Sequence, residues 1–334
     1  MRFQLCALAW CCLSAAFASG AAIDGTVING TTGKPQPSIG VNLIQPGQNG
    51  MQKLGSTTAD AAGKFRFDRA TQPGPVLLQV VYKGIDYNHL LTPASPTTGV
   101  EVEIYESSSS PATAKVTRDI VLLEPGSGEL AVTETFLYQN ATKTSYNNPA
   151  SGTLQFYLPE AAAGKVSVNA SGQQGMPLRQ TAQKTRQPDI YKVNFAVKPG
   201  ETRFDVSYIL PGATKFSGRS LHPEAPTNIV APNGVALTGT GVEAVGQVPN
   251  TQATVYSVSS PSYSVDIQGA GSLRNDQQQA GDDNSGSPPI QSEPPRLYDR
   301  LYWILGLTGL ILALGFIVLF RAKLPSADPP KRRK

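Results

Sequence analysis

The run Lys192-Val193-Asn194-Phe195-Ala196-Val197-Lys198-Pro199-Gly200-Glu201-Thr202-Arg203-Phe204-Asp205-Val206-Ser207-Tyr208 decides the fold class of this chain. Val193, Phe195 and Val197 alternate with Lys192, Asn194 and Lys198, and Phe204, Val206 and Tyr208 alternate with Arg203, Asp205 and Ser207. A period of two belongs to β-strands with one face in a core. Pro199 fixes φ at one turn position and Gly200 supplies φ > 0 at the next, so the stretch predicts a hairpin.

Working outward, Leu154, Phe156 and Leu158 make a half-buried strand ending at Pro159, with Tyr157 in the opposite phase. Val116 to Leu123 and Leu130 to Tyr138 flank the turn Pro125-Gly126-Ser127-Gly128. No stretch up to Gly269 carries a sustained helical period with caps, and short strands at this spacing indicate sandwiches. Ser107-Ser108-Ser109-Ser110-Pro111 interrupts the pattern and divides the region. The first domain is expected over 22–106 and a second β-sandwich over 112–210. The shorter strands of 211–269 either complete that second sandwich or form an appendage. From 270 to 298 the chain is rich in Gln, Asp, Ser and Pro, a composition that buries too little surface to order itself and reads as a stalk.

Within the first domain, Ile23-Asp24-Gly25-Thr26-Val27 opens a strand, Thr32-Gly33-Lys34-Pro35-Gln36-Pro37 turns, and Val41-Asn42-Leu43 is a second strand. Thr58-Ala59-Asp60-Ala61-Ala62-Gly63-Lys64-Phe65-Arg66-Phe67 follows, then Gly74 to Val80, Tyr82 to Tyr87, and Val100 to Tyr105. Gly25 suits a bulge or a close backbone approach. Asp60 is placed to bond its own turn, Gly63 to take φ > 0, and Phe65 and Phe67 to enter the core. This quarter of the chain resembles the carboxypeptidase regulatory-like family, which implies a seven-stranded transthyretin-like (prealbumin-like) sandwich related to Cna-B repeats and to starch-binding-like folds. The resemblance implies a spacer, accessory or binding module. Some Cna-B relatives carry a Lys-to-Asn crosslink; no Lys, acid and Asn set stands out in the sequence, so none is expected here.

The ends of the chain set its topology. Leu301 to Phe320 contains no charged residue and is flanked by Arg300 and Arg321. As a helix it is roughly 30 Å long, the thickness of a bilayer core. A transmembrane helix is expected over 299–321, and the basic tail 322–334 should lie in the cytoplasm by the positive-inside bias. Residues 1–20 read as a secretory signal: Arg2, an apolar run Phe3 to Leu13, and small residues at Ala16 and Ala18. Cys6, Cys11 and Cys12 all lie within it, so the exported part has no disulfide, thiol nucleophile or Cys-based metal site. The net charge of +4 gives no basic surface for nucleic acid.

No Gly-x-Ser-x-Gly elbow occurs, and the two histidines, His89 and His222, have no partner at metal spacing. Gly239-Thr240-Gly241 reads as a turn rather than a dinucleotide loop, and Asp282-Asp283-Asn284 as solvated linker. The sequons at Asn29, Asn140 and Asn169 carry little weight in a prokaryotic envelope. No catalytic, cofactor or metal residue is expected. Exposed aromatics at Tyr87 and Tyr157, with His89, are the candidate ligand surface, Tyr87 and His89 in a loop before the last strand of the first domain. The reading is a non-enzymatic envelope protein, single-pass with its N-terminus outside, whose sandwiches bind or scaffold a protein partner. The alternatives are cell-surface carbohydrate binding and an accessory subunit of a membrane complex.

Overall fold

The computed structural model describes residues 22–273 apart from 48–49, 69–73, 174, 213 and 250. The expected signal, the stalk beyond Leu273, the transmembrane helix and the basic tail lie outside the described residues. Among the described residues no helix is long and apolar enough to cross a membrane. These residues are nearly all β, with two single-turn 3-10 helices at Pro111–Thr113 and Glu160–Ala162.

The first sandwich is made of β1 (Ile23–Asn29), β2 (Lys34–Pro35), β3 (Gly40–Gly47), β4 (Gly50–Thr58), β5 (Lys64–Phe67), β6 (Val76–Tyr82), β7 (Ile85–Leu91) and β8 (Val100–Ile104). One sheet is built on β1, which pairs antiparallel with β2 and β5 and parallel with β8. The other runs β4-β3-β6-β7. Ile23 and Val27 of β1 meet Val41, Leu43, Leu78 and Val80 of the facing sheet in one core. The polar turn before β5 works as its residues predict. Asp60 Oδ1 accepts from the amides of Ala62 and Lys64, both at 2.8 Å, Gly63 takes φ +73°, and Phe65 and Phe67 are buried.

Then follow β9 (Glu106–Ser108), β10 (Lys115–Pro125), β11 (Glu129–Asn140), β12 (Thr144–Tyr146), β13 (Leu154–Tyr157), β14 (Ser167–Gly172), β15 (Leu178–Gln180), β16 (Gln183–Lys184) and β17 (Ile190–Val193). The chain continues through β18 (Gly200–Pro211), β19 (Lys215–Arg219), β20 (Thr227–Ala231), β21 (Ala236–Thr238), β22 (Val242–Gln247), β23 (Thr254–Val258) and β24 (Ser262–Gln268). A large sheet runs β15-β14-β18-β11-β10-β20-β23-β22, and the three-stranded sheets β13-β17-β16 and β19-β24-β21 close its core. That core is continuous from Ala114 to Ile267, so the stretch 211–269 supplies strands to the same sheet and side chains to the same interior.

The predicted hairpin at Pro199-Gly200 does not form. Its turn residue behaves as read, with Gly200 at φ +98°, and the second run alternates with Phe204, Val206 and Tyr208 buried, whereas the first leaves its strand at Val193. Their strands, however, belong to different layers. β17 pairs with β13 and β16, whereas β18 pairs with β11 and β14. The intervening residues cross the core: Phe195 packs edge-on to Phe204 at 5.9 Å, and Val197 bridges to Tyr146. An arch satisfies the same turn chemistry as a hairpin, and the open strand edges elsewhere decide which is built.

Candidate functional site

The first core ends at Ile104 and the second begins at Ala114, and the two meet at a joint built from the chain between them. Glu106 to Ser108, at the start of the expected boundary, forms β9 and pairs in parallel with β12 of the second sandwich. The amide of Asn147 extends this ladder by donating to Ser108 O at 2.9 Å. Serine is a poor strand former, but an edge offering unpaired backbone groups outweighs that small preference.

Side chains from both sandwiches close the joint. Thr31 Oγ1 accepts from the Glu106 amide at 2.9 Å and donates to Lys143 O. Lys198 donates to Asp86 O at 2.5 Å and lies 4.9 Å from the centre of the Tyr87 ring. Burial pulls the Lys198 ammonium below its ordinary range, an effect partly offset by Asp86. A cation held over an aromatic face recovers part of that desolvation cost.

Tyr87 is placed differently from expectation. Lys83 and Gly84 both take positive φ, +49° and +75°, and join β6 to β7 as a two-residue hairpin loop, so Tyr87 and His89 sit on a strand. Tyr87 is 3% exposed; its hydroxyl donates to Tyr105 O at 2.9 Å and shares a second bond with Ser145 Oγ at 2.9 Å. His89, on the same strand as Tyr87, is half-buried and pairs with Leu78 of β6. Tyr157 is half-buried on β13 of the second sandwich. The structure therefore keeps Tyr87 and His89 together, leaves Tyr157 in the other domain, and gives Tyr87 a connecting role.

Beside the joint stands a set that sequence reasoning does not place. Glu106 accepts from the Lys83 ammonium, from Tyr82 Oη at 2.7 Å and from Asn29 Nδ2 at 2.9 Å. This is a Lys, acid and Asn cluster assembled from residues far apart in the chain. Its charge states are those of an ion pair, opposite to what amide formation needs. Lys83 and its neighbouring donors hold the Glu106 carboxyl at about 2, and Glu106 in turn holds the Lys83 ammonium above its ordinary range. A crosslink requires a neutral amine and a protonated acid.

The Glu106 cluster predicts acid sensitivity. Because the folded carboxyl titrates below its ordinary value of 4.5, its contribution is present above that pH and is lost as pH falls toward about 2. Glu106→Gln is expected to abolish that component. Denaturant titrations from pH 6 to 2 check it: the stability gap between wild type and variant should narrow with falling pH, and a constant gap would contradict it.

The sequons at Asn29 and Asn140 have buried amides. Asn29 bonds Glu106, and Asn140 Nδ2 donates to Thr144 O and Val197 O. Among the described residues no group of three or more His, Cys, Asp or Glu side chains is placed to hold a metal ion.

No protein-family model and no curated protein matches the chain. Among solved structures, an M1 zinc metallopeptidase from Deinococcus radiodurans aligns over 46% of this chain and 42% of its own, with 14% identity and a TM-score of 0.25. Native yeast LTA4 hydrolase aligns over 47% of this chain and 29% of its own, with 8% identity and a TM-score of 0.30. The chain thus spans less than half of each. Both neighbours are enzymes, and on this finding the expectation of a non-enzymatic chain is withdrawn. At these TM-scores the likeness assigns this chain no reaction and no site.

Proposed function

We propose that this chain is an exported protein anchored in the cytoplasmic membrane by Leu301 to Phe320, with its basic tail inside and its two sandwiches outside, acting as one binding and scaffolding module for an envelope protein. The observation that supports this is the joint. β9–β12 pairing, the Thr31–Lys143 bond, the Tyr87–Ser145 bond and the Lys198–Asp86 bond tie two separately cored domains together. A mere spacer has no use for such ties, whereas a partner that contacts both domains requires them to hold one relative placement. We also read the first sandwich as transthyretin-like: apart from the two-residue β2, it has seven strands in two sheets.

Carbohydrate binding is the second reading, on one observation. Asn42, Gln79 and Asn88 stand in register across β3, β6 and β7 on the outer face, three amides at strand spacing of about 4.8 Å. Such a row offers alternating donors and acceptors to sugar hydroxyls.

The test is affinity capture from gently solubilised membranes with the full-length chain and with residues 22–273. Recovery of the same proteins by both supports the module. Partners recovered only by the full-length chain would make the anchor the docking element and the protein a membrane-complex subunit. If neither captures protein, a glycan array binding the 22–273 piece would favour the carbohydrate reading.

A further inference from the structure

Two acids lie inside the second sandwich. Asp119 on β10 is 0% exposed, and Glu134 on β11 is 7% exposed. The register sets Glu134 opposite Val121 and Phe136 opposite Asp119, so the carboxyls are diagonal neighbours on the inner face of adjacent strands. Asp119 Oδ2 accepts from Thr227 Oγ1 at 2.9 Å and from Ser220 Oγ at 3.2 Å. Asp119 Oδ1 is buried without a hydrogen-bond partner, and the Glu134 side chain is within interaction range of the Asp119 carboxyl.

Two adjacent carboxylates in an apolar interior would combine two desolvation costs with mutual repulsion. A single proton relieves both and gives Oδ1 its missing donor, as an O–H···O⁻ bond. We infer that Asp119 and Glu134 share one proton in the folded chain, carried by Glu134 and donated to Asp119, and that this proton couples the packing of the second sandwich to ambient pH.

The surroundings agree with this assignment. Burial pushes Glu134 well up, with Asp119 adding to the shift, while the bonds from Thr227, Glu134 and Ser220 and the nearby His222 temper the burial shift on Asp119. The other titratable groups facing the pair are Tyr208 of β18 and Tyr263 of β24, both pushed up by burial and then by these acids. The proton thus sits between the large sheet and its cover layer, contributed to by β10, β11, β18, β20 and β24.

Both acids titrate higher when folded than when unfolded. Their contribution is therefore fully present below about pH 4, where unfolded carboxyls titrate, and is lost as pH rises through the folded titration. One retained proton raises the unfolding constant about tenfold per pH unit over that window. This sign is opposite to that of Glu106, so the two effects separate.

The experiment uses the full-length chain as wild type, Glu134→Gln and Asp119→Asn. Infrared spectroscopy at neutral pH reads the carbonyl band of a protonated carboxyl, and denaturant titrations from pH 4 to 9 read the unfolding constant. The expected result is a protonated-carboxyl band in wild type that Glu134→Gln loses and Asp119→Asn keeps at a shifted frequency, because burial still holds Glu134 protonated, together with a wild-type to Glu134→Gln ratio of unfolding constants that climbs about tenfold per pH unit until the pair titrates. Absence of the band in wild type, or parallel pH profiles in all folded proteins, would overturn the proposal. So would a stability shift on adding a chelator, because a cation and not a proton would then bridge the acids. Should Glu134→Gln fail to fold, Asp119→Asn and the wild-type band still decide the matter.

Discussion

Truncating Phe204 to alanine is expected to cost the second sandwich about 3 to 5 kcal/mol, the range for emptying a buried aromatic site. Phe204 is fully buried at the centre of the large sheet, where β18 lies between β11 and β14 and its register partners are Phe136 and Ala170. Its ring is edge-on to Tyr138 at 5.5 Å and to Phe195 at 5.9 Å. Phe195 lies in the arch that carries the chain from the cover layer to β18, so the cavity undermines both layers at once. Urea titration followed by tyrosine fluorescence measures the loss. A change below about 1 kcal/mol would mean that the site collapses freely and that the arch is not held by this contact. The conservative variant Phe204→Leu should fall between the two.

Gly25→Ala is expected to destabilise the first sandwich by about 3 kcal/mol, at the upper end of overpacking costs. Gly25 sits in the middle of β1, paired on one side with Phe65 and on the other with Val100. A Cβ at this position would lie 2.1 Å from Val100 O and 2.7 Å from Phe65 Cζ. A ring edge can give way, but the carbonyl belongs to the β1–β8 ladder and moves only if that pairing opens. β8 runs directly into Tyr105 and β9, so the damage should reach the joint. Hydrogen exchange is the suitable readout: amides of β8 and β9 should lose protection together. Loss confined to β1 and β5 would show that the ring yields and the ladder stays closed.

The two stretches that differ most from expectation differ for related reasons. The strands around Pro199-Gly200 and the turn itself are legible because alternation and positive φ are properties of a few consecutive residues. Whether those strands pair with each other depends on distant β11, β13 and β14, of which the local sequence holds no trace. Likewise β7 escapes a reading that places Tyr87 and His89 in a loop. A two-residue, positive-φ connection between Val80 and Tyr87 is the signal that would have found it.

The sequence by itself determines an all-β region up to Gly269, the inward phases of Phe156, Phe204, Val206 and Tyr208, the turns at Asp60 to Gly63 and Pro125 to Gly128, and the close backbone approach at Gly25. Each is a short-range consequence of strand period, turn stereochemistry or the absence of a Cβ. The acid pair is divided between the two levels. Glu134 is visible as an acid in the apolar phase of Leu130, Val132 and Phe136, but Asp119 is not. Alternation counted from Val116 points Asp119 outward, and only the irregularity between Val116 and Arg118 turns it inward to meet Glu134. A one-residue slip in a period of two reverses every following side chain. The joint, the Glu106 cluster and the shared core of the second sandwich are likewise tertiary decisions, because each depends on which strand edges and which distant side chains meet.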